Sequence, residues 1–164
     1  MTGIPRAVPS GFRLSGQDDP VLSNWYHTID LGHGLVSKGM FDHRPVMHHY
    51  GFPSLVGKTC LDVATANGLF AFEMERRGAA RVVAMDAPSL SDLDLLPRVR
   101  ERMGPRLHET LGPGQPQFQI PHDYLTSKVE PVLCNVYDLS PEGDSQHYHP
   151  PAAVAPPLVP VTAT

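Results

Sequence analysis

The segment from Cys60 to Asp86 constrains the fold more than any other part of the chain. Cys60-Leu61-Asp62-Val63 is a short apolar run that includes an acid, and Ala64 to Gly68 is a turn of small residues. Val82-Val83-Ala84-Met85 is a second apolar run, closed by Asp86, which lies 18 residues after Gly68. Strand, turn, helix and second strand make a β-α-β unit, so the chain is expected to be α/β. Small turn residues let the backbone approach a ligand, and Asp86 stands where a carboxylate can accept both hydroxyls of a ribose. The unit therefore reads as a nucleotide-cofactor pocket.

Which cofactor depends on the turn. A dinucleotide fingerprint needs small residues at positions 64, 66 and 69, and Leu69 at the third place hinders approach of a pyrophosphate to the helix start. An NAD-dependent oxidoreductase is accordingly the third-ranked reading. The pattern acid-x-small-x-small-x-Gly, met by Asp62, Ala64, Ala66 and Gly68, resembles motif I of class I S-adenosylmethionine-dependent methyltransferases. In that family the two alanine places are usually glycine, and each Cβ narrows the space beside the cofactor's methionine portion.

The resemblance extends from about Trp25 to Pro141. Trp25-Tyr26-His27-Thr28-Ile29-Asp30-Leu31-Gly32, then Gly34 and Lys38-Gly39, is similar to the leader of a methyltransferase subgroup related to the tRNA wobble-uridine carboxymethyl-transferring enzymes. Phe70 to Ala79 and Asn135 to Pro141 match the same subgroup. The resemblance implies a Rossmann-like methyltransferase fold, of which this chain holds the N-terminal half: strands one to three with their helices. It also implies S-adenosylmethionine as cofactor and methyl transfer by in-line displacement, in which the protein mainly positions the reactants.

At 164 residues the chain suits one domain, yet a complete core of this family takes about 200 residues or more. After a third strand ending near Tyr137-Asp138, a fourth strand of the type Phe-Asp-x-Val is expected and is absent. Six prolines from Pro141 to Pro160 exclude a central strand there, since each removes a backbone donor and fixes φ. Residues 142–164 are thus expected to form a disordered Pro/Ala-rich tail. A reading frame broken near Gly143, or another truncation, accounts for it; a natural half-domain completed by a partner chain is the alternative. In the family's strand order 3-2-1-4-5-7-6, loss of strand four leaves strand one, about Thr59 to Val63, as an open apolar edge through which the chain can self-associate.

The remaining organisation is a flexible arm at 1–20, leader helices at 21–56 and the partial methyltransferase domain at 57–141. The helix after Gly68 should bury Phe70, Phe72 and Met74 and stop at Gly78. Residues 87–119 read as a loop-rich insertion with a helix near Leu95 to Met103. Pro121 to Lys128 reads as a helix, and Pro131 to Tyr137 as the third strand. A net charge of −4 gives no electrostatic footprint for nucleic acid, which places a small-molecule acceptor ahead of tRNA. Arg76, Arg77 and Arg81, and the arginines from Arg98 to Arg106, read as solvated helix faces, with Glu73 and Arg77 as a helical ion pair. No targeting or membrane segment is evident, so the chain is expected to be cytoplasmic. Cys60 and Cys134 read as small buried apolar residues on non-neighbouring strands, without a disulfide.

The expected cofactor-binding residues are Asp62, Ala64, Ala66 and Gly68 at the methionine end, Asp86 on the ribose, and Tyr137 and Asp138 at the adenine. Each acid has a plainer alternative: Asp62 caps the turn, Asp86 solubilises a strand end, and Asp138 belongs to the turn before Ser140-Pro141. Trp25 and Tyr26 either cover the cofactor or fill the core. His27 and Asp30 are the nearby general-base candidates, and neither is assigned. His43, His48, His49, His147 and His149 lack metal-site spacing, so no metal is expected. A non-catalytic remnant that binds nucleotide or a partner is the second-ranked function.

Overall fold

The computed structural model describes residues 13–109 and 111–139. Most of the expected arm, residues 1–12, and the expected tail at 142–164 lie outside the described residues. The leader is built mainly of strands, which corrects the helices expected for it. β1 (Ser23–His27) pairs in parallel with β4 (Lys38–Phe41). Between them, β2 (Asp30–Gly32) and β3 (Leu35–Val36) form an antiparallel hairpin. The physical signal was alternation: Trp25 and His27 are buried while Asn24 and Tyr26 are exposed, the two-residue period of a strand. His33 and Gly34 both have positive φ, 54° and 78°, the geometry of a two-residue turn that matches strand twist. A 3-10 segment, Arg44–Tyr50, completes the leader.

Residues 13–20 are tied down rather than loose. The Leu14 amide donates to the Tyr124 hydroxyl (2.9 Å). Gln17 pairs with both backbone groups of Val36 through its side-chain amide (2.6 and 2.8 Å).

The expected β-α-β unit forms β5 (Thr59–Val63), α1 (Leu69–Arg76) and β6 (Arg81–Asp86). After α2 (Pro97–Met103) and α3 (Pro116–Tyr124) comes β7 (Glu130–Leu133). The three strands form one parallel sheet in the order β5-β6-β7. The protein is a small α/β domain. Val82 to Asp86 are buried without a break, as a central parallel strand covered on both faces requires. The core beneath α1 gathers Trp25 and Leu31 of the leader, Phe72 of α1, and Phe118 and Ile120 of α3.

α1 buries Leu69, Ala71, Phe72 and Glu73, whereas Phe70 and Met74 are half-buried. The helix gives way at Gly78 (φ 89°), the left-handed position expected to stop it. α3 starts five residues before the expected Pro121, with Pro116 in its first turn and Pro121 inside. Burial of Phe118 and Ile120, both 0% exposed, outweighs the amide that Pro121 lacks. β7 is shorter than expected because the Asn135 side chain accepts the Tyr137 amide (3.1 Å) and curls Val136–Asp138 into a 3-10 turn. Cys60 and Cys134 are separate buried thiols, and burial raises the pKa of each. Among the described residues no helix is long and apolar enough to cross a membrane.

Candidate functional site

The carboxyl ends of β5 and β6 bring together Asp62, Ala64, Ala66, Gly68 and Asp86. Ala64 and Ala66 have φ of 59° and 50°, and Gly68 has φ of 84°. These are left-handed conformations that normally call for glycine. The two alanines thus hold the backbone path of glycines despite their Cβ atoms. The turn is bound to its surroundings: the Thr65 amide donates to the Met85 carbonyl (3.0 Å) and the Gly68 amide to the Thr65 carbonyl (2.8 Å).

Asp62 is buried, and its Oδ2 accepts from the Thr65 hydroxyl (2.7 Å) and the Ala71 amide (3.1 Å). It therefore ties the first turn of α1 to β5, the capping role weighed as its plainer alternative. Burial pushes its pKa up to about 6, opposed by the two hydrogen bonds and assisted by the nearby Asp86 carboxylate.

Asp86 is 7% exposed. Its Oδ2 accepts the Ala66 amide and its Oδ1 the Ala87 amide, both at 2.9 Å. Burial raises its pKa against those two bonds. Gly112 (φ 42°) lies over the carboxylate: a Cβ there would come within 2.5 Å of the Asp86 Cβ and 2.8 Å of Oδ2. The acid thus stands where a ribose-binding acid is expected but is engaged by the chain's own amides. Tyr137, 78% exposed, and Asp138 lie one strand further, on the surface beyond β7.

Asn67 is the residue that sequence reasoning passed over. It is 5% exposed, and its Oδ1 accepts the backbone amides of both Tyr26 and His27 at 2.8 Å. One side chain thereby joins the leader to the turn. Nothing local could have revealed this, because its partners lie 41 and 40 residues away. Asn67→Ala should cost about 2 kcal/mol by leaving one buried and one part-buried amide unpartnered, whereas Asn67→Asp, compared near pH 4 where a buried carboxyl is largely protonated, keeps the acceptor and should cost less. Urea midpoints of the two variants test this, and equal losses would remove the role.

Trp25 is core: it is 2% exposed and its indole N–H donates to the Val21 carbonyl (2.6 Å). Tyr26 is 51% exposed. His27 is buried among the rings of Tyr26, His43 and Phe70, and its Nδ1 has no hydrogen-bond partner. Burial and His43 lower its pKa to about 4. Asp30 is exposed and accepts the Gly32 amide (2.9 Å). Among the described residues no group of three or more potential ligands converges on a metal site; His147 and His149 lie outside them.

No family model, curated protein or solved structure matches the chain.

The arginines are mostly structural. Arg76 and Arg77 hold Glu73 (2.7 and 2.6 Å), which includes the expected helical pair, and Arg100 donates to the carbonyls of Ser91 and Leu93. A cleft of about 690 Å³ opens between the leader and α1, lined by residues that include Ile29, Arg44, Met47, Leu69 and Phe72. None of the expected cofactor residues lines it.

Asp62 and His27 act oppositely on stability with pH. The Asp62 pKa lies above its ordinary 3.8, so the folded state binds more protons between about pH 4 and 6, and stability falls as pH rises through that window. Two pKa units correspond to about 3 kcal/mol. The His27 pKa lies below its ordinary 6.5, so stability is lost as pH falls from about 6.5 toward 4. The two slopes oppose each other. Asp62→Asn should remove the first and leave Asp86, whose pKa burial also raises, to oppose His27, so the profile should rise more steeply with pH toward about 6.5 than in the parent. Urea unfolding at pH 4.5, 5.5 and 7 reads this directly; an unchanged profile shape would contradict the burial of a charged Asp62.

Proposed function

We propose that the chain is the cofactor-binding half of an S-adenosylmethionine-dependent methyltransferase of class I, with a small-molecule acceptor. The observation that carries this reading is the turn after β5. Residues 64, 66 and 68 all take the left-handed conformation, which favours glycine, and the chain keeps that path although two of the three are alanine. Asp86 at the end of β6, hydrogen-bonded to the Ala66 amide, puts a carboxylate beside the turn, as a ribose-binding fold requires. Bound S-adenosylmethionine would supply the activated methyl group. Asp62, Ala64, Ala66 and Gly68 would line its methionine portion, and Asp86 its ribose. Tyr137 and Asp138 remain the residues proposed for the adenine.

The second reading is a non-catalytic remnant, favoured by the engagement of both Asp86 oxygens within the chain. Calorimetric titration with S-adenosylmethionine, with NAD as control, tests the cofactor on which the first reading rests. The methyltransferase reading expects saturable binding of S-adenosylmethionine alone, weakened about 5- to 150-fold in Asp86→Ala, the equivalent of about 1–3 kcal/mol for unpartnered hydroxyls. No binding by the folded chain supports the remnant. Binding of NAD would overturn the methyltransferase reading and return the oxidoreductase.

A further inference from the structure

The leader and the first turn of α1 meet in a cluster of rings beside the candidate site. Tyr26, Phe41 and Tyr50 are exposed, His43 and Phe70 are half-buried, and His27 is buried. Tyr26 meets Phe41 (5.1 Å between ring centroids), Phe41 stacks on His43 (6.1 Å), and His43 meets Tyr50, Phe70 and His27 (5.8, 5.7 and 5.4 Å). The amides of Tyr26 and His27 are held by Asn67 of the turn, which fixes the cluster next to it. Two observations point to a ligand. Exposed rings side by side form an apolar patch of the kind that marks binding surfaces. His27 Nδ1, buried without a hydrogen-bond partner, is a polar atom that the chain does not satisfy by itself. His43 stands as an oriented base: its Nδ1 is hydrogen-bonded to the Tyr50 hydroxyl (2.6 Å), and its Nε2 has no partner among the described residues. Asp42 beside it is held by Arg44 (2.9 and 2.7 Å). The other general-base candidates are placed differently. His27 is shut away from solvent, and Asp30 lines the cleft of about 690 Å³, to which none of these rings contributes.

We propose that this cluster receives the methyl acceptor, a phenol, and that His43 is its general base. The methyl-transfer step rests on the methyltransferase reading; the phenol site does not. A base serves an acceptor that keeps its proton at neutral pH, as a phenolic hydroxyl does, and a flat ring suits the exposed faces of Tyr26, Phe41 and Tyr50. With the Nδ1 proton donated to the Tyr50 oxygen, Nε2 keeps the lone pair that accepts the phenol proton. Tyr50 is thus a positioning residue that sets the tautomer. The acceptor oxygen bonds the methyl carbon as that carbon leaves sulfur, the phenol proton passes to His43 Nε2, and the positive charge of the sulfonium ends on the imidazolium. His43 then returns the proton to water.

Titration of the full chain with para-nitrophenol, read by its absorbance and by the nitrogen chemical shifts of isotope-labelled histidine, tests the site without cofactor. Saturable binding that moves the His43 Nε2 signal is expected, weakened about tenfold in His43→Asn and in Phe41→Ala. His43→Asn keeps an amide nitrogen toward Tyr50 and removes Nε2, so its thermal unfolding should stay near that of the parent. Tyr50→Phe should shift the tautomer balance of His43 in the same spectra. With S-adenosylmethionine added, para-nitroanisole should form, at least about a hundredfold more slowly in His43→Asn. Absence of para-nitrophenol binding, or a His43 signal unmoved at saturation, would overturn the proposal, and bound S-adenosylmethionine would then leave the methyltransferase reading standing. Para-nitroanisole formed as fast by His43→Asn would overturn the base. Binding that depends on His43 in a chain that takes no S-adenosylmethionine would keep the phenol site and remove the methyltransferase reading.

Discussion

Gly68→Ala should destabilise the domain by about 4 kcal/mol. Gly68 has φ of 84°, and a side chain in the left-handed region costs roughly 1–2 kcal/mol. The added Cβ would come within 2.6 Å of Phe72 Cε2 and 2.8 Å of Phe118 Cε2. Phe118 is fully buried and Phe72 nearly so. Both rings belong to the packed core, and overpacking there adds about 1–3 kcal/mol. A loss of this size lowers the melting temperature of a chain of this length by roughly 8–16 °C. Ala64→Gly and Ala66→Gly provide the contrast. They relieve left-handed strain and add glycine's unfolded-state entropy, terms of about 1 kcal/mol each, so their melting temperatures should stay close to the parent. If Gly68→Ala melted with them, the turn would not have the described path.

Gly39→Ala should separate β1 from β4. An added Cβ would fall inside the van der Waals shells of the His27 carbonyl carbon and the Thr28 amide nitrogen. Those are backbone atoms, so no side-chain rotation relieves the contact, and the strands must part. The loss should reach at least about 3 kcal/mol, the upper end of ordinary overpacking. A specific reporter is at hand, because Trp25 is the single tryptophan of the chain, pairs with Gly39 and is 2% exposed. Its emission should shift to the red in Gly39→Ala and stay unshifted in Asp62→Asn. Unchanged emission together with unchanged stability would show that the two strands do not approach as described.

Both variants act where the chain comes closest to itself, and the two sites differ in how visible they are in the sequence. Gly68 stands in a small-residue turn after an apolar strand, and its need for glycine follows from that local pattern. In the sequence Gly39 stands out only as part of a leader that resembles that of a methyltransferase subgroup. Its steric role depends on β1 running parallel to β4, a pairing that strand alternation alone does not specify. The leader illustrates the same limit. Its alternating burial at Trp25, Tyr26 and His27 is a strand signal, yet the segment is too short for periodicity to distinguish strand from helix.

The candidate site divides along the same line. The gathering of Asp62, Gly68 and Asp86 was legible, because a β-α-β unit necessarily brings the carboxyl ends of its two strands side by side. Asn67 was not legible, and neither was the closure of Gly112 over Asp86, since both depend on partners far away in the chain. The prolines of α3 mark a third case. Pro116 and Pro121 each qualify as a helix start, and only the burial of Phe118 and Ile120 chose between them.

The sequence by itself determined the parallel pair β5 and β6, the helix between them, its stop at Gly78, and the burial of the two cysteines. These follow from hydrophobic period, turn chemistry and chain connectivity, all of which act over a few residues. The tertiary structure alone decided that the leader is a set of strands, that Asn67 joins it to the turn, that Asp86 is engaged by Ala66 and Ala87, and that Tyr137 faces solvent. Those outcomes depend on which distant backbone amides and apolar faces meet, and such encounters are settled by packing and hydrogen-bond satisfaction across the whole domain.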